Sequence, residues 1–65
     1  MGKELWWDEL KEQERMALLG ETPVSLNQCW VLKSQDWSSI PRYVQDALYQ
    51  LDWLEVLYLK LGPRD

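Results

Sequence analysis

A chain of 65 residues is one domain with a thin core, and 11 acidic against 7 basic residues leave it a net charge of −4, which argues against a nucleic-acid surface. A single cysteine, Cys29, and no histidine exclude an internal disulfide, the ordinary zinc ligand sets and the usual general base of hydrolytic enzymes. Oligomerisation is then the available supplement to the core.

The opening segment Met1-Gly2-Lys3-Glu4-Leu5-Trp6-Trp7 has neither the apolar run nor the cleavage site of a secretory signal, and no stretch approaches the ~20 apolar residues of a membrane span. A cytoplasmic location is expected. Gly2 does not read as a myristoylation site, because Trp6 stands where serine or threonine is needed.

Strong helix formers from Lys3 to Arg15 predict a first helix over 3–19, stopped by Gly20 in a left-handed turn. Trp6, Leu10 and Ala17 line its apolar side with Trp7 and Leu18 on the shoulder, while Asp8, Lys11, Glu12 and Arg15 form a wet face. Thr22-Pro23 then reads as a cap with proline in the first helical position, opening a short second helix over 23–34. A polar connection containing Trp37 follows.

Ser38 or Ser39 with Ile40-Pro41 predicts the start of a third helix over 40–61, closed by Gly62-Pro63. Such a helix would be a rod of roughly 30 Å. Ile40, Val44, Ala47, Leu51, Leu54, Tyr58 and Leu61 follow steps of four and three, a continuous heptad seam that suits a bundle. Tyr49, Trp53 and Val56 stand at i, i+4 and i+7 on the back of the same rod. The expected fold is therefore all-α: two N-terminal helices packed on one long C-terminal helix, a three-helix domain over 1–65 completed by homodimerisation.

Five tryptophans and three tyrosines without phenylalanine give every ring a polar handle, a combination that anchors protein–protein interfaces. The expected interface residues are Tyr49, Trp53 and Val56, with Trp6, Trp7 and Trp37 nearby, and Trp53→Ala should weaken association while helix content is kept. The competing reading puts all these rings in one core clasped from both sides.

The absence of histidine, a Cys29 expected to be buried and inert, and widely spaced glycines argue against catalysis, and no cofactor or metal is expected. In general character the chain is similar to small bacterial and phage regulators that occupy a surface of a larger protein. The expected function is a non-enzymatic, protein-binding regulator: an inhibitor, adaptor or antitoxin-like protein, phage- or mobile-element-encoded, acting on a larger bacterial protein. The alternatives are a helix-turn-helix transcriptional regulator, weakened by the lack of cations between Arg42 and Lys60, and a small structural subunit of a larger assembly.

Overall fold

In the computed structural model, which describes residues 3–63, the two long helices expected from the sequence are each divided. The chain runs through α1 (Lys3–Glu9), α2 (Glu12–Leu19), α3 (Leu26–Leu32), a 3-10 turn (Trp37–Ser39), α4 (Arg42–Tyr49) and α5 (Trp53–Leu61). No strand is present among the described residues. Among the described residues the architecture is all-helical as expected, with five α-helices in place of three. Both ends of the span 1–65, Gly2 included, lie outside the described residues.

The first helix breaks at Leu10-Lys11 despite its helix-forming composition, because side chains there offer the backbone other partners. Leu10 N–H bonds the Trp7 carbonyl at 3.1 Å, a tightened last turn, and Lys11 is extended (φ −76°, ψ 162°). The Glu14 carboxylate accepts the Lys11 N–H at 2.9 Å, capping α2. Arg15 reaches back to α1, its Nε donating to the Trp7 carbonyl at 3.1 Å and its Nη2 to the Asp8 carbonyl at 3.4 Å. Its Nη1 also meets the Lys33 and Gln35 carbonyls, both at 3.2 Å. Arg15 thus clamps the ends of α1 and α3 together instead of sitting on a wet face.

Gly20 stays right-handed (φ −64°), and the Thr22 hydroxyl donates to the Leu19 carbonyl at 2.6 Å, so Thr22 finishes α2 instead of opening the next helix. The cap of α3 is Ser25, whose Oγ accepts the Gln28 N–H at 3.3 Å.

The rod expected over 40–61 is also interrupted. Ser38 and Ser39 belong to the 3-10 turn, Pro41 caps α4, and Gln50, Leu51 and Asp52 separate α4 from α5. Asp52 is extended and its carboxylate accepts the Glu55 N–H at 3.2 Å, restarting the helix. Only the far end follows expectation: Gly62 adopts a positive φ of 84°, open to glycine and strained for other residues, and ends α5.

α2 packs along α5 and against α3, while α1 packs on the 3-10 turn. The molecule measures 30 × 26 × 20 Å, so its longest dimension is no greater than the single rod the sequence suggests. No helix among the described residues is long and apolar enough to cross a membrane.

Candidate protein-binding surface

The break at 50–52 decides which rings face inward. In an unbroken heptad seam, Leu54, Tyr58 and Leu61 would continue the buried line of Ile40 and Val44. Restarting at Asp52 resets the helical phase, and α5 instead buries Trp53 and Leu57, leaving Leu54 58%, Tyr58 60% and Leu61 45% exposed. The face expected inside lies outside, and the ring expected outside lies inside.

Trp53, 3% exposed, is the hub of an aromatic core. Its ring centroid lies 6.1 Å from Trp7, 6.0 Å from Trp37 and 6.5 Å from Trp6, and Trp7 and Trp37 are themselves 6.0 Å apart. Tyr49 closes on Trp37 edge-on at 5.4 Å. The tilted, edge-on geometry is the one that ring quadrupoles favour, at about 0.5–1.5 kcal/mol per pair beyond simple burial.

The polar handles of two buried indoles, Trp7 and Trp53, are satisfied inside the fold. Trp53 Nε1 donates to the Leu48 carbonyl at 2.8 Å and Trp7 Nε1 to the Gln35 carbonyl at 2.9 Å. The Trp37 backbone is held at both sides, its N–H by the Asp8 carboxylate and its carbonyl by the Gln45 amide, each at 2.9 Å.

Of the six residues expected at an interface, Trp7, Trp37 and Trp53 are therefore buried together. Trp6 and Val56 are partly buried against the same core, and Tyr49 is exposed at its edge. The structure gathers Trp6, Trp7, Trp37, Trp53 and Tyr49 into one aromatic cluster, of which Trp7, Trp37 and Trp53 belong to the core. Tyr49, Trp53 and Val56 do not form one surface stripe, because Tyr49 ends α4 while the other two belong to α5.

The surface holds a different set. On α5, Leu54, Tyr58 and Leu61 stand at i, i+4 and i+7, with the exposed Leu59 on the other flank; on α3, Leu26 and Trp30 stand at i and i+4 beside Val31. Lys33 Nζ lies 5.2 Å above the Trp30 ring, and the Gln28 amide donates to the Tyr43 hydroxyl, linking α3 to α4. Sequence reasoning assigned Leu54, Tyr58 and Leu61 to the core seam. The signal that could have corrected it is Asp52 followed three residues later by Glu55, a capping pattern inside the supposed rod.

Two further groups bear on chemistry. Burial pushes the Cys29 thiol above its ordinary range, and its Sγ lies 3.7 Å from both the Leu19 and Val24 carbonyls. The Ser39 hydroxyl, with that of Ser38, holds the exposed Asp36 carboxyl below its ordinary value. Among the described residues, no group of three or more cysteine, aspartate or glutamate side chains is placed to hold a metal ion. Comparison with protein-family models, curated proteins and solved structures finds no match to this chain.

Proposed function

We propose that this protein is a non-enzymatic, protein-binding regulator of the inhibitor, adaptor or antitoxin-like kind, acting as a homodimer in the cytoplasm on a larger bacterial protein. The observation that carries the reading is the outer stripe of α5. A nine-residue helix that buries Trp53 and Leu57 on one side and presents Leu54, Tyr58 and Leu61 on another is apolar in more directions than its own domain covers. A tyrosine held by a rigid element, ringed by leucines that exclude water, is the kind of group that anchors an interface.

A thiol with a raised pKa and the absence of histidine support the non-enzymatic part of the reading. The acidic charge disfavours DNA as partner.

Light scattering over a dilution series tests the dimer. The native chain should show twice its chain mass, and Tyr58→Ser should be a folded monomer by circular dichroism. A native monomer at every concentration would remove homodimerisation. Affinity capture from bacterial lysate tests the target: a larger protein retained by the native chain and lost with Leu59→Ser, a substitution at an exposed position of α5, supports regulation by surface occupation, and capture of nothing contradicts it.

A further inference from the structure

On the flank of α5 opposite Leu54 and Tyr58, two adjoining hollows share Glu21, Gln50 and Leu51 and form one trough between α4, α5 and the turn after α2. Its floor and walls are apolar where Tyr43, Ala47, Leu51, Val56 and Leu59 line it, and Leu59 is 71% exposed. Its charges are one-sided. Glu21, Asp46, Asp52 and Glu55 line it against a single cation, Lys60, whose Nζ lies 3.5 Å from Glu21.

We propose that this trough is the docking site for an amphipathic helical segment of the partner protein that carries lysine or arginine beside its apolar stripe. The inference deepens the protein-binding reading above and rests on it. An amphipathic helix lays its apolar face into a groove, where Leu51, Val56 and Leu59 supply the matching surface. Charge complementarity selects among occupants. Glu21 has Lys60 and Asp46 has Arg42, but a neutral or acidic helix would bring no cation to Asp52 and Glu55, whereas a basic one supplies it and is steered by the chain's net charge of −4.

The carboxylates already engaged remain available. Asp46 meets Arg42 at 3.1 Å, but both side chains are more than half exposed and such a pair is easily exchanged. Asp52 uses one oxygen to cap α5, leaving the second to a partner. A second copy of this chain is a poorer occupant, because it would bring its own excess of acid to the same trough.

The test uses helical peptides of about fifteen residues, long enough to form a few turns, that share one leucine stripe and differ only in flanking lysine, glutamine or glutamate. Each is titrated into the full-length protein, and binding is mapped by backbone amide shifts. The lysine peptide should saturate one site per chain, shift Leu51, Val56 and Leu59, and bind roughly tenfold or more tightly than the glutamate peptide, with the difference shrinking in high salt. The double variant Asp52→Asn, Glu55→Gln keeps an N-cap and should lose roughly tenfold in affinity for the lysine peptide, while Trp30→Ser binds it as the native chain does.

Equal binding of all three peptides, shifts centred on Leu54 and Tyr58, or no saturable binding would each overturn the proposal. So would a native dimer that Leu59→Ser converts to monomer, which gives the trough to a second copy. A chain that dimerises through Tyr58 and captures a target but shows no lysine preference loses this inference alone. A chain that neither dimerises nor captures a target loses the wider reading as well.

Discussion

A tryptophan that finds its hydrogen-bond partner inside the fold belongs to stability, and two of the five, Trp7 and Trp53, do so here. The composition made it legible that these rings sit where apolar and polar surroundings meet. It did not say that the polar side would be the protein's own backbone: the Leu48 carbonyl at the end of α4 for Trp53, and the Gln35 carbonyl after α3 for Trp7. Those carbonyls become available only when helices end, and the ends were misplaced. Trp53→Ala therefore removes a hub in contact with three other indoles, and such truncations cost about 3–5 kcal/mol. A domain of this size has little more than that in total. Circular dichroism at 25 °C should show the variant largely unfolded, the reverse of the outcome expected for a surface anchor. Trp53→Phe, which keeps a ring but removes the indole N–H bond to the Leu48 carbonyl, should stay folded with a lower melting temperature. A Trp53→Ala chain with native helix content and melting temperature would contradict the core assignment.

Helix type was readable in every segment, since no alternating strand pattern competes, whereas helix continuity was not. Propensity is a local quantity, and Glu12 to Arg15 have it in full, yet Arg15 and Glu14 spend their polar groups on the backbone at the α1–α2 junction. The same applies at Asp52, with a larger consequence for the surface, because restarting α5 there turns Leu54, Tyr58 and Leu61 outward. The heptad spacing was real in the sequence but assumed a rigid phase that three non-helical residues erase. The Asp52 cap is what holds this phase, so its removal should be felt by α5 as a unit. Asp52→Ala should cost about 1 kcal/mol, or about 4–8 °C in melting temperature for a domain of this length, while Asp52→Asn should change it little. Hydrogen exchange should locate the loss in α5. Uniform loss of protection across α1 to α5 would show that the cap carries no separate role in the junction.

At the scale of the whole molecule, the elements meet at a single point. α1 contributes Trp7, the 3-10 turn Trp37, α4 Leu48 and α5 Trp53 to one buried cluster, and α2 adds Leu18 and Leu19. No pair of helices could keep its packing once that cluster opens, because the pairs share it. The exposed apolar stripe contributes nothing comparable: Leu54 and Tyr58 already face water. Unfolding should accordingly be one cooperative step. The near-ultraviolet signal of the tryptophan cluster and the far-ultraviolet helix signal should disappear at one urea midpoint. At concentrations where the chain is monomeric, Tyr58→Ser should share that midpoint, since surface substitutions usually change stability by no more than about 0.5 kcal/mol. Raising the concentration should then separate the two chains, with the native midpoint rising as dimer forms by mass action and the variant's staying fixed. Two midpoints in the native monomer would mean that part of the helical chain stands without the tryptophan core. A Tyr58→Ser midpoint that climbs with concentration as the native one does would move self-association off the outer face of α5 and onto the Leu26–Trp30 face of α3.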